Sequence, residues 1–333
     1  MSEEYITLDG LCQQLSISRA TGRNWLRLGK IESQGIDLAG QVYFTEEYVS
    51  NLKQSLETGE RRSLRSRRNK RYVSGKGLYD RYVSDICEST DTVKSLVDKL
   101  ERQNICVTEM VMRTLLADCA LKLLVSSGEI TVDREIFPAY IDGSLTIGVW
   151  SALIDDIIQD KKAALSWANN NKNLMDTNYY YQKGEDVLGL LYMSIRDAGS
   201  RKAAGSYYTP TKVVRTLISD VTGDMGSRIS EGGKRLFDPC CGTGNFLIQL
   251  PDDIELNNIY ACDIDELSVQ LARFNLALGR LSGRRHVNVD EAIWTIYEHI
   301  ERRDFISEYR NDSECGGDDK KLLADPGYDI IIG

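Results

Sequence analysis

The chain has 333 residues, 42% of them hydrophobic and 27% charged, with a formal net charge of −9. This length predicts about two domains, and the composition is that of an ordinary globular protein with no apolar run long enough to cross a membrane. The acidic balance argues against a protein that binds nucleic acid with its whole surface. Two histidines, and eight cysteines without a C-x-x-C pair, argue against a structural metal site. The amino terminus, MSEEYITLDG, has no apolar signal segment, so we expect a cytoplasmic protein.

Residues 1–56 predict three helices and a small hairpin. Leu8, Leu11 and Leu15 recur at helical spacing, and a second helix follows in SISRATGRNWLRLGKI. The segment GIDLAGQVYF predicts a turn and a short strand, and Thr45 is the expected N-cap of the third helix. This order resembles the winged helix-turn-helix modules of the MerR and excisionase type, whose second helix enters the major groove of DNA.

The resemblance implies DNA contacts from this second helix, and a basic linker follows the module. On the helix, the implied contacts are Arg19, Arg23, Asn24 and Arg27. A protein-docking role of the module is the alternative. Residues 57–76 form the linker, whose RRSLRSRRNKR run either follows DNA phosphates or is a solvated connector. The expected phosphate contacts are Arg61, Arg62, Arg65, Arg67 and Arg68.

Residues 77–200 predict a helical domain. Residues 107–125 are apolar nearly all round, which is typical of a buried helix. Residues 184–199 predict an amphipathic helix, and its apolar face is expected to carry Val187, Leu188, Leu191 and Ile195. No arrangement of acids, bases or nucleophiles in this domain indicates a site.

Residues 201–333 carry the pattern that predicts a ligand site in an α/β fold. Thr209 and Pro210 begin a helix, a strand ends at Asp238, and a tight loop over residues 242–244 leads into a helix near Asn245. A second strand ends at Asp263, where a carboxylate bonds ribose hydroxyls in nucleotide-type folds. The dinucleotide fingerprint fails because its third glycine is replaced, and no G-K-[ST] follows the loop as a P-loop requires.

The motifs GSYYTP, DPCCGTGNF and DID, in this order, resemble those of S-adenosylmethionine-dependent DNA adenine-N6 methyltransferases of restriction–modification systems. The resemblance covers residues 184–333, and more loosely the helical region before them. It implies an α/β fold with an incomplete Rossmann-like methyltransferase sheet, of which only the first strands are present. An all-α region and the small winged helix-turn-helix would precede that sheet.

The resemblance also implies a role for each motif residue toward S-adenosylmethionine. Thr209 would bond the methionine carboxylate, Asp238 and the loop 242–244 the amino group, and Asp263 the ribose hydroxyls. Ile264 would lie against the adenine ring. Asp304 would accept from the adenine amino group, with Phe305 beside the ring. The remaining implied cofactor residues are Tyr208, Pro239, Gly242, Thr243, Gly244, Asn245 and Phe246.

The last segment, YDIIIG, predicts the fourth strand of this sheet, after which the resembled family carries an N-P-P-[YFW] loop that holds a flipped adenine. That loop would follow Gly333, so we expect no catalytic residue in this chain and no activity from it alone. Two hypotheses stay open. The chain is part of a DNA methyltransferase whose remainder is on a second chain, is lost by a premature stop, or lies outside this sequence, and a restriction subunit is a further candidate partner. Alternatively, it is a noncatalytic regulator that binds DNA and S-adenosylmethionine, or an inactive gene fragment.

Overall fold

The computed structural model describes residues 5–15, 17, 19–27, 30–36, 42–57, 82–196, 208–223, 233–284, 288–305 and 327–333. The chain divides into two compact units, Met1–Arg71 and Tyr72–Gly333. Several positions named above lie outside the described residues, among them the basic run 61–71 and residues 205–207. The division of the chain into four parts remains a prediction.

The first unit combines a small antiparallel sheet with three helices. Its elements are β1 (Tyr5–Thr7), α1 (Leu8–Gln14), α2 (Arg19–Arg27), β2 (Gly35–Ile36), β3 (Val42–Thr45) and α3 (Glu46–Glu57). The strand order is β1-β3-β2, with both pairs antiparallel. The hydroxyl of Thr7 accepts the Gly10 N–H at 3.2 Å and caps α1. Thr45 accepts the Tyr48 N–H at 3.3 Å, which confirms it as the cap of α3.

The helices of this unit enclose their own apolar core. Apolar residues spaced three or four apart on α1 and α3 face inward, and Trp25 of α2 and Phe44 of β3 fill the space between them. The buried members are Leu11, Cys12, Trp25, Ile31, Phe44, Val49 and Leu52. The strand β1, which the sequence did not predict, pairs with β3 and completes the sheet.

The second unit begins with a helical part that is built around one central helix. Its helices are α4 (Ser89–Arg102), α5 (Glu109–Ser126), α6 (Ile136–Ile141), α7 (Trp150–Ile158), α8 (Lys161–Asn170), α9 (Lys172–Met175) and α10 (Val187–Ile195). Twelve of the 18 residues of α5 are buried, as expected for a helix that is apolar on every side. Thr108 caps it by accepting the Val111 N–H at 3.3 Å.

A parallel sheet with flanking helices follows. Its elements are α11 (Thr211–Gly223), β4 (Leu236–Asp238), β5 (Ile259–Asp263), α12 (Glu266–Leu281), α13 (Val289–His299), β6 (Ile300–Arg302) and β7 (Ile330–Ile331). The strand order is β6-β5-β4-β7, and every neighbouring pair is parallel. In chain order this is 3-2-1-4, the order of the first four strands in a doubly wound fold. Such folds bind ligands at the carboxyl ends of the strands, next to the switch between strands one and four.

Two local predictions are wrong. All nine residues of α10 are buried, so the helix is not amphipathic. The reason is that it packs against α4, α5 and α12 at once and has no side left for solvent. No α-helix begins near Asn245 either, because that segment forms turns and a short 3₁₀ turn, Leu247–Gln249. Pro251 follows two residues later and removes a backbone donor that a continuing helix needs.

The helical part and the sheet share one continuous apolar core, to which α5, α10, α12 and the strands all contribute. Within the described ranges, no helix has both the length and the apolarity that a membrane span requires.

Candidate functional site

The candidate site lies where β4 and β5 end. These strands run parallel, with Asp238 opposite Ala261, so Asp238 and Asp263 finish at the same edge of the sheet. The loop 239–246 connects this edge to the 3₁₀ turn. The sheet thus brings together the two acids and the glycine pair that the sequence motifs contain.

Asp238 is fully buried and only partly satisfied. Its Oδ1 accepts the Cys240 N–H at 3.1 Å, whereas its Oδ2 has no hydrogen-bond partner among the described residues. Burial raises the pKa of Asp238 to about 7, and the nearby carboxylate of Asp263 contributes to this rise. A buried carboxylate oxygen without a donor is costly. This oxygen therefore fits a ligand that brings a cationic donor, such as an ammonium group.

The two glycines of the loop have conformations that other residues rarely adopt. Gly242 has φ of 54° and Gly244 has φ of 88°. A Cβ on Gly244 would lie 3.2 Å from the Cα of Ala272, and one on Gly242 would lie 3.1 Å from the Tyr208 ring. Both glycines are thus required by backbone angle and by close packing.

Asp263 fixes the start of this loop. Its Oδ2 accepts the Gly242 N–H at 2.9 Å, and its Oδ1 accepts the Asp265 N–H at 2.9 Å. Each carboxylate oxygen has a second lone pair, so hydroxyl groups of a ligand fit the same carboxylate. The next residue, Ile264, has 59% of its surface exposed and offers an apolar contact beside these polar groups.

The segment before α11 lies against the glycine loop. The Asn245 side chain donates to the Thr209 carbonyl at 2.9 Å and accepts from the Thr211 hydroxyl at 3.3 Å. The Tyr208 hydroxyl is 3.3 Å from the hydroxyl of Ser268. Asn245 is therefore a connector between two parts of the site.

The other predicted residues occupy different surroundings. Pro239 is half-buried at the loop, and Phe246 is buried in the core. The Thr243 side chain is fully buried and donates to Asp186, so it is turned toward the helical part. Asp304 is half-buried beyond β6, and the ring of Phe305 lies 5.3 Å from that of Phe237 in β4.

Sequence reasoning missed the polar residues that support this site from the helical part. The Asp265 carboxylate accepts from the Tyr192 hydroxyl at 2.5 Å and from Arg196 at 2.6 Å. Although burial opposes ionisation, these two partners hold the pKa of Asp265 below its usual value. Asp186 is a second acid that supports the site, because its carboxylate accepts from the Thr243 hydroxyl of the loop. Its sequence signal is the segment EDVLGLLY, which indicates a helix but no polar role.

A separate cavity of about 850 Å³ opens in the helical part, and none of its lining residues is a predicted cofactor residue. Asp118 and Lys122 line it and pair with each other at 2.6 Å. Lys122 also donates to Thr177 at 3.2 Å. We assign no ligand to this cavity. No group of three or more His, Cys, Asp or Glu side chains in the described part of the chain is arranged to hold a metal ion.

The predicted DNA-binding helix presents basic side chains to solvent. Arg19, Arg23 and Arg27 of α2 are exposed and follow one another at intervals of four residues, which places them along one side of the helix. Arg19 forms an ion pair with Asp9 at 2.8 Å. The side chain of Asn24 and the linker arginines lie outside the described part of the structure.

Comparison with known proteins finds a family model and a curated relative that resemble part of the chain. Residues 183–302 match the family model described as N-6 DNA Methylase. Type II methyltransferase M.VspI of Vibrio sp. (strain 343) is 27% identical over 178 residues, which are 53% of this chain and 38% of that protein. The chain thus spans about two fifths of the length of this curated relative. The residues that match the family model contain Asp186, Asp238, the glycine loop and Asp263, so it is this site that is similar to an N-6 DNA methylase.

Two solved structures also align with the chain. The type IIL restriction–modification enzyme MmeI in complex with DNA has 15% identity and a TM-score of 0.31, over 67% of this chain and 39% of that one. The DrdV–DNA complex has 12% identity and a TM-score of 0.32, over 70% and 31%.

Proposed function

We propose that this chain binds S-adenosylmethionine and forms the cofactor side of a DNA adenine-N6 methyltransferase of a restriction–modification system, in the cytoplasm. The observation that supports this most directly is the buried, unpartnered Oδ2 of Asp238 at the carboxyl end of β4, within the described residues. It lies next to a loop with two glycines of positive φ. The match to N-6 DNA methylases covers these same residues.

The proposed contacts follow the chemistry of each group. Asp238 accepts from the ammonium group of the methionine moiety, and Asp263 accepts from the two ribose hydroxyls. Thr209 bonds the methionine carboxylate. Ile264 covers one face of the adenine ring, and Asp304 and Phe305 form the far side of that pocket. S-adenosylmethionine, when bound, supplies an electrophilic methyl group on its sulfonium sulfur.

The loop motif that would hold the target adenine does not occur in this sequence. In the resembled family, an Asn-Pro-Pro-aromatic loop follows the strand equivalent to β7. The sequence Met1–Gly333 contains no such motif. We therefore propose that this chain alone binds cofactor without transferring a methyl group, and that it contributes the first four strands of a Rossmann-like sheet.

DNA is the proposed macromolecular partner. The proposal rests on the three arginines along α2, in a unit whose helix-turn-helix and hairpin order suits the major groove. We propose that the linker arginines add phosphate contacts.

The Asp263→Ala variant tests the proposed cofactor site. It loses the carboxylate that holds the Gly242 N–H and is proposed to accept the ribose hydroxyls. Affinity for S-adenosylmethionine is expected to fall by about 1.5–3 kcal/mol, roughly 10- to 150-fold. Isothermal titration calorimetry with the parent and the variant measures this change.

Asp98→Ala is the matched control, because it removes a carboxylate from the exposed side of α4. It should bind S-adenosylmethionine as the parent does. Equal affinities for the parent and Asp263→Ala would exclude Asp263 from the site. A parent chain that shows no binding at millimolar cofactor would refute the proposed function.

A further inference from the structure

Asp186 is a buried carboxylate that connects the helical part to the glycine loop. It is fully buried, and its two oxygens accept from four donors. Oδ2 accepts from the hydroxyls of Tyr82 and Thr243, each at 2.5 Å. Oδ1 accepts from the Gly189 N–H and from the Asn275 side chain, each at 2.7 Å. All four lone-pair positions of the carboxylate are thus occupied by donors.

These bonds converge on one residue of the loop. Thr243 lies between the two glycines, and its hydroxyl donates to Asp186. The Asn275 side chain, which donates to Asp186, also donates to the Thr243 carbonyl at 2.9 Å. Thr243 is therefore held through its side chain and its backbone by the same network. The donors Tyr82 and Asn275 lie far apart in the sequence, as do Tyr82 and Thr243 at 161 positions, so the network forms only in the folded chain.

A glycine pair needs such support. Glycine populates many backbone conformations, so the loop 242–244 gains little order from its own sequence. A buried carboxylate that accepts charge-assisted hydrogen bonds is a strong anchor, because these bonds exceed neutral ones in strength. A binding loop that is held in its bound conformation before the ligand arrives loses less entropy on binding.

We propose that Asp186 is a positioning residue, which sets the conformation of the glycine loop through Thr243 and thereby the affinity for S-adenosylmethionine. This inference rests on the proposed function. It assigns to the helical part a role in cofactor binding that acts through the Thr243–Asp186 hydrogen bond.

Substitutions at Thr243 test the inference, and a substitution at Thr114 serves as the control. Thr243→Val removes the hydroxyl at nearly constant volume, and Thr243→Ser retains a hydroxyl. Thr114 is an equally buried threonine whose hydroxyl donates to the Met110 carbonyl at 2.8 Å, away from the loop. We expect Thr243→Val to weaken S-adenosylmethionine binding about tenfold, and Thr243→Ser and Thr114→Val to change it less than about twofold. Calorimetry measures the affinities of the full chain.

Hydrogen exchange without cofactor gives a second readout. Backbone amides in a peptide that spans residues 240–247 should exchange faster in Thr243→Val than in the parent and Thr114→Val. If Thr243→Val does not fold, Asp186→Asn replaces it. An amide has one acceptor oxygen for four donors, so it should weaken binding and loop protection in the same direction.

The outcomes separate the two proposals. Suppose that the parent binds S-adenosylmethionine and that the folded variant has the same affinity and the same loop exchange as the parent. This result would overturn the positioning role of Asp186 and leave the proposed function intact. No binding by the parent would refute the proposed function itself. Equal losses of affinity in Thr243→Val and Thr114→Val would show a general effect of stability and would also overturn the positioning role.

Discussion

Asp238 combines burial with an oxygen that has no partner among the described residues, and this combination has consequences for pH. Its pKa of about 7 means that the carboxyl group of the free protein is protonated below neutral pH. Because the pKa is raised in the folded state, this group contributes stability that is complete only below about pH 4 and is lost progressively as the pH rises from there through 7. A cationic ligand reverses the preference, since it favours the ionised carboxylate.

Cofactor affinity should therefore depend on pH. Binding of the ammonium group must displace the proton from Asp238, so affinity for S-adenosylmethionine is expected to rise roughly tenfold between pH 5.5 and pH 7. Calorimetry in buffers of different ionisation enthalpy should detect the released proton. Asp238→Asn cannot ionise and should bind weakly at both pH values, with no proton release. A flat profile for the parent would contradict the ammonium contact.

Gly244 is constrained both by its backbone angle and by close packing. Substitutions at two other glycines allow these two effects to be measured separately. Gly244→Ala should lower the free energy of unfolding by about 2–4 kcal/mol, because it combines a positive φ with contact against Ala272. Gly128 has φ of 81°, and a methyl group there would meet nothing within 4 Å, so Gly128→Ala should cost about 1–2 kcal/mol. Gly279→Ala, inside α12, should gain about 0.5–1 kcal/mol.

Urea unfolding of the three variants measures these differences. If Gly244→Ala and Gly128→Ala lose equal stability, then the close approach to Ala272 imposes no constraint of its own.

At the scale of elements, the sequence correctly predicts those features that short local patterns determine. Thr45 is recognisable as a cap because its hydroxyl precedes a helical run, and α5 is recognisable as buried because apolar residues surround it. The strand β1 is missed, because three residues carry too little periodicity to indicate a strand. The error in α10 has a different cause. Its sequence has polar residues only near its ends, and tertiary contacts on every side decide its burial.

The residues of the candidate site also divide into those that local patterns predict and those that they do not. Asp238, the glycine pair and Asp263 are predictable, since each follows directly from a strand and its loop. The bonds of Asp186 join Tyr82, Thr243 and Asn275, which are far apart in the chain. No spacing rule relates these residues. Their proximity follows from how α10 and α12 pack beside the loop, which sequence patterns do not specify.

At the scale of the whole molecule, the two proposed activities belong to units with separate cores. Among the described residues, no member of the first core belongs to the second. The chain has a net charge of −9, yet the first unit exposes three arginines along one helix. Because local charge governs contact with phosphates, the overall charge does not oppose DNA binding by this unit.

Replacing Arg19, Arg23 and Arg27 with glutamine should therefore weaken DNA binding without changing cofactor binding. Each lost phosphate contact lowers the slope of log K against log salt by about 0.9, so the slope is expected to decrease by up to about 2.7. Fluorescence anisotropy with a labelled duplex at several salt concentrations measures the slope, and calorimetry measures affinity for S-adenosylmethionine.

The matched control replaces Arg134, Lys161 and Lys162 with glutamine, which changes the net charge equally on exposed positions of the second unit. The control should retain the slope of the parent, because the slope reports the phosphates that basic side chains neutralise by contact, and not the net charge. If both variants lose the same amount of salt slope, then α2 has no special role and DNA binding depends only on the net charge of the chain. DNA binding by the parent that does not change with salt would contradict the phosphate contacts, whereas a parent that binds no DNA at low salt would favour a role of this unit in docking to protein.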